Sequence, residues 1–285
     1  MSSAIYTSTQ QRSFGRILPD LIANRGLLRD VVWKELRARY RNAMMGFLWA
    51  VLQPVLMMLI LTFVFKYLLG DRLAAKGLPS ESMTPEFLLC GIVAWQFLSM
   101  AMMSGTNSLI ESGELIKKVH FPREIIPIAA VVNCLVNLVI GFVTLLVVLC
   151  ALRGISALGV GLLYVPFLFM IQFAMAIGLA LLLSALNVYY RDVAYMIDVM
   201  LAFGFYATPI FYPPSMVSHR LGAVAFQIYM LNPMANLITA YREALLDNHF
   251  AEPLLWIRPL AFACVVVLAG AYVFRRNAPT FADYL

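Results

Sequence analysis

Residues 125–152 read IIPIAAVVNCLVNLVIGFVTLLVVLCAL, 28 residues without an Asp, Glu, Lys, Arg or His. As an α-helix this run is about 42 Å long at 1.5 Å per residue, more than the ~30 Å of hydrocarbon in a bilayer. Inside hydrocarbon every backbone N–H and C=O must find its partner within the protein, and a helix achieves this on its own. The stretch is read as a membrane-spanning helix. The rest of the chain has the same character: 62% of its 285 residues are hydrophobic, 13% are charged, and the mean hydropathy is +0.83. Soluble domains run at roughly 45–50% apolar and about 25% charged. Water cannot solvate so much apolar surface on a compact monomer. The composition excludes an ordinary soluble enzyme, a disordered regulator and a nucleic-acid-binding module, and predicts an all-α integral membrane protein.

Working outward from this run, six spans are expected, at about 46–69, 87–103, 125–152, 160–186, 193–211 and 254–274, within a membrane domain of residues 46–274. Gln53-Pro54 sits inside the first and should kink it. Residues 212–253 are harder to place. LGAVAFQIYM and ANLITAYREALL are apolar runs split by Leu231-Asn232-Pro233. Each is too short to cross, so a re-entrant helical pair between spans five and six fits better, provided protein buries it.

Charge placement sets the orientation. Eight of the 21 Lys/Arg precede residue 45. Residues 1–26 read as a cytoplasmic tail without the apolar core of a signal peptide. Residues 27–45 (LLRDVVWKELRARYRNAMM) form an amphipathic helix with Leu28, Val32, Leu36, Tyr40 and Ala43 on one side and Arg29, Lys34, Arg37 and Arg41 over much of the rest. Such a helix lies in the membrane interface with its basic side toward headgroups; the plainer reading is a solvated helix capping a bundle. With this end inside, the inner segments (1–45, 104–124, 187–192 and a cytoplasmic 275–285 tail) hold fourteen Lys/Arg and the outer ones seven. That follows the positive-inside rule. Both termini are thus expected in the cytoplasm.

The sequence lacks the marks of several chemistries. Spans two, three and four carry no Asp, Glu, Lys, Arg or His; Lys66, Asp198 and Arg258 lie near span ends, and Asp198, about one and a half turns into span five, is the one candidate for a coupling carboxylate, which disfavours an ion-coupled carrier. There is no HExxH, GxSxG or GxxxxGK[ST]. No catalytic residue, metal site or cofactor is expected in this chain. His120, His219 and His249 are scattered through loops, and Cys90, Cys134, Cys150 and Cys264 lie in apolar runs as packing residues. If transport is powered, ATP and Mg are bound by a separate subunit, which must grip a cytoplasmic element.

Segment 104–124 is the candidate. Residues 108–127 read SLIESGELIKKVHFPREIIP: a short amphipathic helix about Leu109 to Val119, then Pro122 and Pro127 before the next span. Glu111, Glu114, Leu115, Lys117, Lys118 and Arg123 are the candidate coupling residues. A solvated loop would explain the charges but not the paired prolines.

These segments carry a resemblance. WKELRARYRNAMMGFLWAVLQP (33–54), GELIKKVHFPREIIP (113–127), LNVYYRDV (186–193), TPIFYP (208–213) and LNPMANLITAYREALL (231–246) occur in an order and spacing similar to the membrane subunits of ABC-2 type exporters. The branch it most resembles exports O-antigen, capsular polysaccharide and teichoic-acid-like polymers. The resemblance implies a homodimer of six-span subunits, each joined to a cytoplasmic ABC ATPase, two copies in all. It also implies the interface helix, a coupling helix at roughly 108–120 and re-entrant outer-leaflet helices at 214–246. The expected function is a permease subunit moving lipid-linked polysaccharide across the cytoplasmic membrane; the alternative is an ABC-2 permease for a drug or small lipid.

Residues on the expected path follow from the chemistry of sugars. Aromatic faces stack on sugar C–H faces, and amides and hydroxyls bond sugar hydroxyls. Gln53, Phe203, Tyr206, Phe211, Tyr212 and Tyr229 are the candidate channel lining, and an interfacial aromatic belt is the competing reading. Arg191 and Asp192 form either a plain turn or a cytoplasmic mouth that admits a lipid-pyrophosphate headgroup. Arg37, Arg39 and Arg41 are rival headgroup contacts.

Overall fold

The computed structural model describes residues 19, 23–40, 48–68, 84–119 and 121–285. Among these the secondary structure is helical throughout. The helices are α1 (Arg25–Tyr40), α2 (Leu48–Leu68, π-helical over Phe63–Leu68), α3 (Pro85–Glu111), α4 (Gly113–Lys118), α5 (Ile125–Arg153), α6 (Val165–Tyr189), α7 (Val193–Ala207), α8 (Pro214–Tyr229), α9 (Pro233–Leu245), α10 (Pro253–Asn277) and α11 (Phe281–Tyr284). Short 3-10 turns at Val160–Tyr164 and Ala278–Thr280 lead into α6 and α11.

Among the described residues five helical stretches are long and apolar enough to cross a membrane: Leu48–Leu68, Pro85–Glu111, Ile125–Arg153, Val160–Tyr189 and Pro253–Tyr284. The expected fifth span differs. Instead of reaching Phe211, α7 stops at Ala207 after 15 residues, about 22 Å of helix. The cause is local. Thr208 precedes Pro209, and a residue before proline is pushed out of the helical region; Thr208 is extended, with ψ 145°.

The second span differs in the other direction. It was expected to end near Met103, where SGTNS begins, yet α3 continues to Glu111. Its polar residues are absorbed by packing. Thr106 Oγ1 donates to the Met102 carbonyl at 2.7 Å and Ser108 Oγ to that of Gly105 at 2.7 Å. Asn187 Nδ2 on α6 donates to the Thr106 carbonyl at 3.0 Å. The helices are close here because a Cβ on Gly105 would collide with Ala180. Thus the small-residue face of Ala176, Ala180 and Ser184 packs within one chain. On the neighbouring side, Gly178 lets α6 meet the backbone of α10 at Val266–Val267.

The core lies where α3 and α6 meet α5, α9 and α10. α9 belongs to this core. Leu237, Ile238, Ala240, Tyr241, Ala244 and Leu245 are all buried, and Tyr241 Oη donates to Gln172 Oε1, whose amide donates to the Ala94 carbonyl. Asn232 caps α9 by accepting from the Met234 N–H at 3.0 Å, with Pro233 in the first turn. α8 has half-buried and exposed residues but no buried one among those described, and bends at Gly222, whose φ of 80° is a left-handed conformation that glycine adopts freely.

Residues 275–285, read as a tail, continue α10 and fold back. Phe281 is fully buried beside Phe274, their rings edge to face at 5.1 Å.

Candidate functional site

One end of the bundle carries the coupling segment. α3 breaks at Ser112, and the six residues of α4 follow. Gly113 and Ile116 are buried, while Glu114, Lys117 and Lys118 are exposed and Leu115 is half-buried. Lys118 Nζ bonds Glu114 Oε2 at 3.0 Å one turn away, in full solvent. α4 therefore offers charge outward and one isoleucine inward. Glu111, the last residue of α3, lines a cavity of about 210 Å³ with Glu35 on α1, Ser104, Ser108 and Asn133.

Arg123 turns away from this outward surface. It donates to the Ala278 carbonyl, tying the segment to the chain after α10. Burial pulls its guanidinium below the ordinary arginine range, while Asp283 and Glu124 push it back up. Beside it Arg275 and Glu124 form an ion pair at 3.0 Å with both side chains almost buried.

The interface helix α1 packs against α5, with Val31 buried and Asn133 donating to Glu35. A glutamate thus faces the bundle from the side expected to be purely apolar. Arg37 is exposed, with its guanidinium 5.9 Å from the centre of the Trp33 ring. The Arg39 side chain and Arg41 lie outside the described residues.

Toward the other end, aromatic residues from four elements meet. Phe211 stacks on Phe65 of α2 with centroids 5.5 Å apart and an interplanar angle of 17°. It also touches Phe205 and Tyr206 of α7 and its neighbour Tyr212. Tyr229 of α8 donates to Tyr212 Oη at 3.3 Å, and Tyr212 donates to the Tyr206 carbonyl at 3.1 Å. Trp95 of α3 closes the group against Phe205. Four of the expected lining residues (Tyr206, Phe211, Tyr212 and Tyr229) are therefore one cluster. Phe203 stands outside it, 74% exposed, and Gln53 is exposed on α2 through Pro54, where the helix continues.

The anchor of this cluster is a residue the sequence reading left unassigned. Arg242 is 5% exposed. Its guanidinium donates to the carbonyls of Pro209 at 2.6 Å, Ile210 at 2.7 Å and Phe87 at 3.2 Å, and lies 3.4 Å from the Phe87 ring centre. The first two carbonyls lie in the non-helical stretch after α7, and that of Phe87 belongs to the first turn of α3. The signal was present in AYREALL: an arginine in an apolar run has to find acceptors. Nearby, Arg153 bridges Glu86 at 2.9 Å and the Leu246 carbonyl at 3.1 Å.

Along α7 one face is left open. Tyr195, Met196, Val199, Met200, Phe203 and Tyr206 are all more than half exposed, and Asp198 is exposed among them. Arg191 and Asp192 lie in the turn just before this helix, both exposed, and among the described residues no ion pair joins them.

Among the described residues, five helices long and apolar enough to cross a bilayer give the chain the architecture of an integral membrane protein. The chain belongs to the ABC-2 type transporter family, whose model matches residues 27–246. It is similar to the O-antigen export system permease protein RfbA of Myxococcus xanthus, 30% identical over 270 residues that cover 94% of this chain and 98% of that protein. Two Klebsiella pneumoniae proteins of the same description are 26% and 25% identical, each match covering 91% of this chain and 95% of the relative.

Proposed function

We propose that this chain is the membrane subunit of an ABC exporter that carries lipid-linked polysaccharide of the O-antigen type across the cytoplasmic membrane. The observation that carries this reading is the near full-length match to O-antigen export permeases, which favours a glycan over a drug or small lipid. In this reading α7 and the unwound stretch after it make the fifth of six crossings, α8 and α9 enter and leave the outer leaflet, and both chain ends are cytoplasmic. ATP and Mg are bound by a partner ATPase in two copies, one for each subunit of a homodimer.

The open face of α7 supports the dimer seam. A carboxylate facing lipid tails is costly, so Asp198 among exposed residues favours a wet seam with a second copy over a lipid-facing surface. α2, which presents Gln53, also packs on α3, and its end meets the stretch after α7 at Phe65 and Phe211. The path therefore runs along α7. Arg191 and Arg37 offer charge to a phosphate headgroup at the cytoplasmic end. Tyr206, Phe211, Tyr212 and Tyr229 offer ring faces and hydroxyls to sugars at the other.

ATP-driven closure of the partner pushes on Glu114, Lys117 and Lys118 of α4, and the seam parts. Deleting the gene should leave lipid-linked glycan inside the cell. The purified subunit with its ATPase should hydrolyse ATP faster when that glycan is present. Uphill transport by this polypeptide alone would overturn the assignment.

A further inference from the structure

α4 is too short to hold itself. A helix of six residues is unstable in water by itself, so its position is set by what it packs against. Ser112 breaks the helix before it, and Val119 after it is extended, with φ −130° and ψ 136°. The fixed surroundings of α4 come largely from the end of the chain. Ile116 is buried in one cluster with Leu109, Ile126, Phe274 and Phe281. Arg123 holds the Ala278 carbonyl and Glu124 holds Arg275. Tyr189 at the end of α6 donates to the Asn277 carbonyl at 3.4 Å and bonds the Thr280 hydroxyl. α11 returns far enough that a Cβ placed on Gly113 would stand 3.5 Å from the Cβ of Leu285.

We propose that residues 275–285 clasp the coupling segment, with Phe281 as the positioning residue, so that α4, the start of α5 and the end of α10 move as one rigid body. A push on α4 then reaches α10 and, through Tyr189, α6, as well as α3 through the hinge at Ser112. The contacts support this distribution: a buried ring, a nearly buried ion pair and a backbone carbonyl grip all join residues 274–281 to the segment. The proposal rests on reading α4 as the ATPase contact. It adds that Phe281 governs how efficiently hydrolysis becomes export, without binding ATPase or cargo.

The test uses the complete complex with its ATPase in vesicles carrying lipid-linked glycan. A Cβ–Cβ separation of 3.5 Å suits a disulfide, for which about 3.5–4.5 Å is required. Oxidised Gly113→Cys/Leu285→Cys protein should export within about twofold of the same protein after dithiothreitol, with the single cysteine variants as controls. Phe281→Ala should retain the ATPase at wild-type stoichiometry, hydrolyse ATP at a similar rate, and export at least about fivefold less glycan per ATP; Phe281→Leu should recover most of the ratio. Loss of export on oxidation that dithiothreitol reverses would mean the two helices must part during the cycle, and would overturn the clasp. So would a wild-type export-to-ATP ratio in Phe281→Ala. Should that variant fail to assemble, the disulfide arm decides. The underlying reading fails separately: if Glu114→Lys/Lys117→Glu still holds the ATPase and exports, α4 is not the contact and the clasp proposal falls with it.

Discussion

Arg242 holds Pro209 by its carbonyl at 2.6 Å, and so satisfies an acceptor in the non-helical stretch that follows α7. The same guanidinium reaches Ile210 and Phe87, so one side chain fixes the start of α3, the broken stretch and α9 in a single register. Lysine has one compact ammonium and no planar fork, and cannot reproduce this set. Arg242→Lys is expected to lower the melting temperature of the detergent-purified protein, and Arg242→Ala to lower it further, with a loss of stability of about 3 kcal/mol or more from buried carbonyls left bare. A melting temperature equal to wild type in Arg242→Ala would contradict this role.

The Arg275–Glu124 pair behaves differently from a surface pair because both groups have left water. Breaking such a pair on one side costs about 3–5 kcal/mol, while replacing both ends with apolar groups is often near neutral. Glu124→Gln should therefore destabilise more than Glu124→Leu/Arg275→Met. Chemical denaturation of the wild type and these two variants checks the order.

Glu114 and Lys118 pair in full solvent, where such pairs contribute little. Glu114→Ala should leave the melting temperature unchanged. Glu114→Lys/Lys117→Glu should abolish ATPase co-purification while the subunit still inserts and folds. A stable complex from the charge-reversed protein would show that these charges serve solubility alone.

Tyr206→Ala/Tyr212→Ala removes two faces of the aromatic cluster and the Tyr229 hydrogen-bond partner. Export is expected to fall about tenfold or more with unchanged membrane insertion, whereas Phe203→Ala, outside the cluster, should cost less than twofold. Equal effects from the two variants would favour an interfacial belt. Pulse-chase measurement of surface glycan distinguishes them.

Much of this architecture was legible in the chain because lipid imposes a simple rule: long apolar runs become helices. α5 is the clearest case, since 125–152 can do little else. Elsewhere packing overrides polarity. Thr106, Asn107 and Ser108 looked like the end of a span, but their groups bond within α3 and to α6, so the helix runs on. Local rules located the end of α7 at Thr208-Pro209 only in retrospect, because an apolar run hides a proline break. The outward charges of α4 could be read from alternation. The inward turn of Arg123 could not, since its acceptor at Ala278 lies 155 residues away. Phe281 was invisible for the same reason: two aromatics in a short polar segment, Phe281 and Tyr284, give no periodicity that would tell the buried one from the exposed one.

The brevity of α7 leaves a gap that the chain after it has to fill. At about 22 Å the helix falls well short of a typical ~30 Å acyl layer. In the proposed crossing the remaining ~8 Å falls to residues 208–213, which have no helical ladder of their own, and hydrocarbon supplies no partner for a bare carbonyl. Arg242 supplies one to Pro209 and to Ile210, so a strut borrowed from a distant helix completes the distance that this one does not cover.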